Sequence, residues 1–472
     1  MRILNIVRDR PQLAFFAALG LLLGIVAVQY SIKVMKPRKD GQTSSAILRW
    51  SKQIQDMHGG ENIHAKYNYP NPPVMAQILW PLAKLAEISP LAAALAWFFL
   101  KVGMALLCWL WTFRLVETPG RPFPEWAKAI AVALSINPVI GDLKHGNVNL
   151  FILLLVMGCL YSFSRGRDRF AGVLLALAIA CKVTPALFVV YFLWKRSWNV
   201  LIGCGIGLVF FFLVIPSLGF AVQRGSLVEG CEQNWAALTA WVRNMILPYM
   251  VHGEVWSERE NQSLPGLLTR LFTHSPSFSK WVNDAETPFA YHNVADLSAQ
   301  TIKRLVQMCQ AAFLLLMVIV CRAPVRVAGT APMEARGGWP LAAEYSIILV
   351  GMLLFSERTW KHHCVTLMLP FAVLAFGAFA AGFPTWLRRV ALTTLLVAGG
   401  AVLLPTVAEL VGDGTLVSVG DVRPDAEEIM GLNPNSAREL AQVYGAYIVA
   451  FLALLVGLVA MLIHRKNYTV PS

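Results

Sequence analysis

The chain has 472 residues, 57% of them hydrophobic and only 14% charged, with a mean hydropathy of +0.57. Such a composition excludes an ordinary soluble domain and requires a polytopic membrane protein. The formal charge of +13 would suggest a nucleic-acid partner in a soluble protein, but here many Lys and Arg residues lie in short turns between apolar runs and set membrane orientation, so no nucleic acid is expected.

In chain order, Arg2, Arg8 and Arg10 precede an apolar run from Leu13 to Val28. The run resembles a signal peptide but lacks a small-x-small cleavage site, so it reads as an uncleaved first transmembrane helix with a cytoplasmic start. A hydrophilic segment, residues 31–71, follows as a first outer loop. Within it, Ser44 to Met57 has apolar residues at helical spacing, as in a helix lying on the membrane surface. Pro70, Pro72 and Pro73 close the segment and bar a helix interior, so the next helix starts at about Pro73 and runs to Glu87.

Apolar runs then recur at 91–116, 126–140, 150–163, 170–181, 186–194, 198–218, 305–321, 341–355, 364–381, 390–410 and 444–463. The pair 150–163 and 170–181, joined by the basic turn Arg165-Gly166-Arg167-Asp168-Arg169, reads as a helical hairpin with a cytoplasmic turn. Lys182 then lies roughly 20 Å above that turn, within a core about 30 Å thick, and an intramembrane lysine marks a functional site by default. With both termini cytoplasmic the crossings are even in number. Discounting the short 73–87 run leaves about 12, by the length each crossing needs.

The fold class expected is therefore an all-α polytopic bundle forming a single membrane domain over residues 1–472, with outer loops at 31–71, 219–301 and 411–439 and a short outer turn at 356–363. These loops read as irregular chain with short helices, not as a separate catalytic domain. Lys33, Lys36, Arg38 and Lys39 run against the positive-inside trend, as headgroup anchors or as cations that steer an anion. The eight cysteines show no paired spacing and read as small core residues, with no disulfide framework or metal site expected.

Polar residues gather on the expected outer side: Asp40; His145, Asn147 and Asn149; Lys182; Asn261 and Gln262; and Glu357, Lys361, His362 and His363. Each also has a local reading. Asp40, Asn147 and Asn149 could cap helices, Lys182 could snorkel, the two histidines could anchor at the interface, and Asn261 and Gln262 could serve a turn. Moving a sugar from a lipid phosphate to a hydroxyl needs a carboxylate to take the hydroxyl proton and cations or imidazolium donors to stabilise the departing phosphate. The inventory fits that demand. It equally fits an ion-coupled transporter or flippase, and a structural assembly protein would need none of these groups.

The runs GNVNLF, AGVLLALAIACKVTPALFVVYFLWKRSW, NQSLPGLLTRLF and LLFSERTWKHHCVTLMLP occur in that order between about Tyr67 and Pro370. Together they resemble glycosyltransferase family 87, polyprenyl-phosphate-mannose-dependent mannosyltransferases of the C-type (GT-C) superfamily. The resemblance implies a GT-C-like inner-membrane enzyme with an extracytoplasmic active site. It would take mannose or a related sugar from a polyprenyl phosphate to a glycolipid or glycan acceptor with inversion, and without a cofactor or metal. Its membrane partners would be lipids.

It further implies an aspartate base in the first outer loop. Asp40, 29 residues before Tyr69, is that candidate, with Asp56 and Glu61 as fallbacks. His362 and His363 would hold or protonate the leaving phosphate. His145, Asn147, Asn149, Lys182, Asn261, Gln262, Glu357 and Lys361 would contact substrate. The family's Gly-Gln-x-Asn motif stands here as Gly146-Asn147-Val148-Asn149, with an amide that reaches about one methylene less.

Overall fold

The computed structural model describes residues 11–36, 45–67, 69–118, 120–282, 285–322, 336–411 and 419–464, and these are predominantly helical. Asp40 lies outside the described residues. Among the described residues, eight helices are long and apolar enough to cross a membrane, which makes the chain a multi-pass membrane protein. Packing divides it into two compact units, the first built from Met1–Arg114, Pro122–Pro185 and Asn199–Met245 and the second from Leu115–Arg121, Ala186–Trp198 and Ile246–Ser472.

The first unit contains α1 (Pro11–Met35), α2 (Ala46–His58), α3 (Ile63–Lys66), α4 (Pro73–Ile88), α5 (Pro90–Val116), α6 (Glu125–His145), α7 (Asn149–Ser164) and α8 (Asp168–Cys181). It also holds nearly all of α10 (Trp198–Arg224) and then α11 (Leu227–Trp241). The helix expected at the membrane surface is α2, and its apolar face packs against α4. Ile47, Trp50, Ile54 and Met57, spaced three or four apart, form its buried face. The expected hairpin is α7–α8. At 16 and 14 residues its arms are about 24 and 21 Å long, short of a 30 Å hydrocarbon core.

The second unit contains α9 (Leu187–Trp194), α12 (Leu264–Phe272), α13 (Ala299–Val320), α14 (Trp339–Leu354), α15 (Met368–Phe379), α16 (Thr385–Val411), α17 (Ala426–Met430), α18 (Ala437–Val443) and α19 (Ala446–His464). Its core is α14 packed with α15 and α19, and all of α14 from Leu341 to Leu354 is buried. A helix apolar on every side belongs in such a position. Within it, Glu344 is neutralised by Lys195 at 2.6 Å and accepts a hydrogen bond from Tyr191 at 2.8 Å. Lys195 and Trp194 both donate to Cys321 O at 3.1 Å, tying the ends of α9 and α13 together.

Against an expected count of about 12 crossings, the described residues hold eight long apolar helices and three shorter ones, α7, Thr184–Trp194 (which contains α9) and α14. A second difference is a small antiparallel sheet. β1 (Phe278–Val282) pairs with β2 (Ala285–Tyr291), which pairs with β3 (Asp421–Val422), so the two stretches read as separate outer loops, 219–301 and 411–439, are joined within the second unit. Phe278, Phe289, Ala290, Leu271, Ala426 and Val443 form a separate apolar cluster beneath it.

Candidate active site

In the first unit the polar centre is Asp142, fully buried one turn before the end of α6. Lys101, in the middle of α5, donates to the Asp142 main-chain oxygen at 2.5 Å and to its Oδ2 at 3.2 Å. Asn149 Nδ2 donates to Asp142 Oδ1 at 3.0 Å, and the Leu150 N–H reaches Oδ2 at 3.4 Å. Asn149 Oδ1 in turn accepts from Lys182 Nζ at 2.7 Å. One carboxylate thus orders the first turn of α7 and, through Asn149, the lysine just beyond α8. A buried charge is retained where it is paired and hydrogen-bonded at both oxygens, as here.

The turn between α6 and α7 depends on Gly146. Its φ of +72° is left-handed, and a Cβ there would meet Ser45 Oγ at 2.4 Å. Ser45 and Tyr30 hydroxyls bond each other at 2.7 Å against this turn, and Trp97 Nε1 donates to the Gly146 and Asn147 carbonyls. His145 has Arg49, Lys33 and Lys101 as charged neighbours, and Lys33 donates to Lys144 O at 3.2 Å. Among the described residues, the cations Lys33, Arg49, Lys101 and Lys182 gather around the one carboxylate of Asp142. Cations held in fixed positions attract an anion.

The structure therefore joins Asn149 and Lys182 directly and places His145 and Asn147 on the same turn. Asn149 bridges two side chains; it does not cap α7. The fallback bases sit differently. Asp56 accepts from Tyr67 OH and lies 3.9 Å from Lys66, which also lies 3.7 Å from Glu61, a solvated surface arrangement.

In the second unit, Asn261 and Gln262 have their amides filled by protein. Asn261 Oδ1 accepts from the Thr359 and Ser263 N–H groups at 2.9 and 3.2 Å, and its Nδ2 donates to Trp256 O and Glu357 O at 2.8 and 3.0 Å. Gln262 Nε2 donates to Gln442 O at 2.8 Å and its Oε1 accepts from the Tyr447 N–H. The buried Arg270 guanidinium donates to the carbonyls of Ser257, Glu258, Asn261, Gln442 and Val443. These side chains hold the 356–363 turn and the start of α19 in place.

On that turn, burial pushes the Glu357 carboxyl up, against the opposing pull of Arg358, which lies 3.6 Å away and stacks on Trp256. Lys361 donates to Thr406 Oγ1 at 3.1 Å. His362 is buried edge-on to Trp360, and His363 Nδ1 lies 3.1 Å from the Arg358 carbonyl oxygen and 3.3 Å from the Trp360 nitrogen, donating to the first or accepting from the second according to its tautomer.

Sequence reasoning missed Lys101 and Asp142. The signal was present in Lys101, a lysine in the middle of an apolar run, which demands a partner in the membrane.

Glycosyltransferase family 87 matches the chain over residues 69–356. Two curated relatives are each named polyprenol-phosphate-mannose-dependent alpha-(1-2)-phosphatidylinositol mannoside mannosyltransferase. The one from Mycobacterium tuberculosis is 26% identical over 298 residues, covering 62% of this chain and 55% of the relative. The one from Mycolicibacterium smegmatis is 28% identical over 282 residues, covering 59% of this chain and 52% of the relative. The matched part of the chain thus spans about half the length of these relatives. Among solved structures, ArnT from Cupriavidus metallidurans in the apo state is 12% identical and overlaps 94% of this chain and 77% of its own, at a TM-score of 0.37, too loose for element-by-element correspondence.

Proposed function

Because the chain belongs to glycosyltransferase family 87, we propose that it is a membrane-embedded hexosyltransferase that moves mannose from a polyprenyl phosphate to a hydroxyl of a glycolipid or glycan on the extracytoplasmic face. The observation that carries the reading is the buried polar network around Asp142, in which Lys101 pairs with the carboxylate and Lys182 is held at 2.7 Å from Asn149. A leaving phosphate needs such preorganised cations. The relatives' names supply the donor and acceptor classes for this proposal.

In the reaction, the acceptor oxygen attacks the anomeric carbon as the bond from that carbon to the phosphate oxygen breaks. The configuration inverts, the electron pair leaves with the polyprenyl phosphate, and the acceptor proton passes to a carboxylate base. Asp142 is a poor base, because both its oxygens already accept hydrogen bonds. Its role is to position Asn149 and, through it, Lys182. Asp40 is the proposed base, and His362 and His363 are proposed to meet the leaving phosphate.

The test is sugar transfer in membranes containing the wild type or Asp40→Asn at equal expression, supplied with radiolabelled polyprenyl-phosphate mannose and a native lipid extract. Labelled glycolipid from the wild type, lost in Asp40→Asn, supports enzyme and base together. Transfer that survives the substitution moves the base elsewhere, and no transfer by the wild type contradicts the donor or acceptor assignment.

A further inference from the structure

α10 is 27 residues long, about 40 Å, against a hydrocarbon core about 30 Å thick. α11 does not leave its end as a loop into water. It folds back along the final turns of α10, close enough that a Cβ on Gly230 would meet Ser217 O and Ala221 N at 2.5 Å. Asn234 Nδ2 donates to Phe212 O at 2.9 Å and to Ser217 Oγ at 3.1 Å. Phe212 lies within a π-helical turn, Phe210–Val214, about 20 Å along α10 from its start. A side-chain donor is useful there because lipid offers a main-chain carbonyl none. The Trp241 ring lies 6.3 Å from that of Phe212 and its Nε1 donates to Pro70 O at 3.1 Å, so α11 packs back along α10 with its far end beside residue 70.

The faces of α11 follow from its sequence. Gly230, Asn234, Ala237 and Trp241 form the buried face at helical spacing. Beside it runs an outward apolar stripe: Val228 is 67% exposed, Cys231 is exposed, Trp235 is 68% exposed and Val242 is 38% exposed. Glu229 and Glu232 lie on the remaining, polar edge. α10, against which α11 packs, also presents exposed apolar side chains, Ile206 at 65% and Val222 at 86%. An exposed apolar stripe on a helix packed along a membrane-crossing helix is matched by lipid.

We propose that α11 is a lipid-embedded element. Val228, Cys231, Trp235 and Val242 seat among the phospholipid acyl chains of the leaflet that receives the C-terminal end of α10, and Glu229 and Glu232 face headgroups and water. The segment read from sequence as the start of a long outer loop is then part of the membrane surface of the protein. This assignment does not depend on the transferase reading.

The test uses the full chain in proteoliposomes of ordinary phosphatidylcholine, acyl-brominated phosphatidylcholine, or ordinary lipid with aqueous iodide. Cys309→Ser leaves Cys231 as the exposed cysteine for a polarity-sensitive thiol fluorophore. Val228→Cys and Glu232→Cys, each in a Cys231→Ser, Cys309→Ser background, place the same probe on the stripe and on the polar edge; all three positions are exposed, so folding is spared. The expected result is bromolipid quenching several-fold stronger at 231 and 228 than at 232, with iodide quenching in the opposite order. Equal iodide access at all three positions, or bromolipid quenching that does not distinguish them, overturns the proposal.

Discussion

Lys101 and Asp142 meet with both side chains fully shielded from solvent, ammonium to carboxylate at 3.2 Å. Removing one partner of such a pair leaves the other charge uncompensated, which costs about 3–5 kcal/mol, whereas removing both together costs far less. Lys101→Met is therefore expected to lower the thermal unfolding midpoint in detergent sharply, and Lys101→Met with Asp142→Asn, whose amide oxygen can still accept from Asn149, to recover part of the loss. A double variant no more stable than the single one would contradict a coupled pair.

Gly146 makes the turn that carries His145, Asn147 and Asn149. Gly146→Ala places a Cβ at φ +72° and 2.4 Å from Ser45 Oγ, with a backbone cost of about 1–2 kcal/mol in addition to the clash. Adding Ser45→Ala removes the 2.4 Å contact and leaves the backbone cost and a 3.2 Å approach to the Tyr30 hydroxyl. The unfolding midpoints are expected to rank wild type above the double variant and the double variant above Gly146→Ala.

Asn261 bonds four main-chain groups, two of them on the 356–363 turn. Asn261→Ala leaves buried donors and acceptors unpaired, a loss of about 1–3 kcal/mol for each such group. Unfolding measurements should therefore show a drop for Asn261→Ala. A variant with wild-type stability and a raised KM for the sugar donor would make Asn261 a substrate contact instead.

Two buried histidines outside the membrane-crossing helices give a pH dependence. Burial pushes His64 down to about 4, with its bond to Asn71 O opposing, and burial together with nearby Arg270 does the same to His292. Both are neutral in the fold, whereas the unfolded chain titrates near 6.5. Between those values the unfolded state binds more protons, so the contribution is full above about 6.5 and is lost as pH falls toward 4. The midpoint of the wild type should fall over that window, and His64→Gln with His292→Gln should flatten the slope. Glu357 has the opposite sign: its raised carboxyl loses stability as pH rises through its titration, so Glu357→Gln should be no less stable than the wild type at neutral pH.

The helices were legible because long apolar runs have few alternatives in lipid. The run read as 91–116 is the helix Pro90–Val116, and that read as 444–463 is Ala446–His464. Pairings at long sequence separation were not legible. An isolated lysine in an apolar run calls for a partner without naming one, and Lys101 finds it 41 residues away. The second and third strands pair across more than 120 residues, through segments too short and mixed to announce a sheet. In the site, Asn149 and Lys182 came together as the hairpin geometry implied. Asn261 and Gln262 carried the right chemistry for substrate, but their amides bond the main chain.

The central claim is that the Asp142-ordered cluster holds the phosphate of a lipid-linked sugar, and Lys182→Met tests it most directly. Initial rates of sugar transfer by purified wild type and Lys182→Met, measured against polyprenyl-phosphate-mannose concentration at saturating acceptor, separate donor binding from turnover. The account predicts a donor KM raised about tenfold or more, the loss of one charge-assisted contact, with an unchanged acceptor KM and an unfolding midpoint lowered by no more than the loss of the bond to Asn149. A Lys182→Met enzyme with the wild-type donor KM and kcat would contradict it.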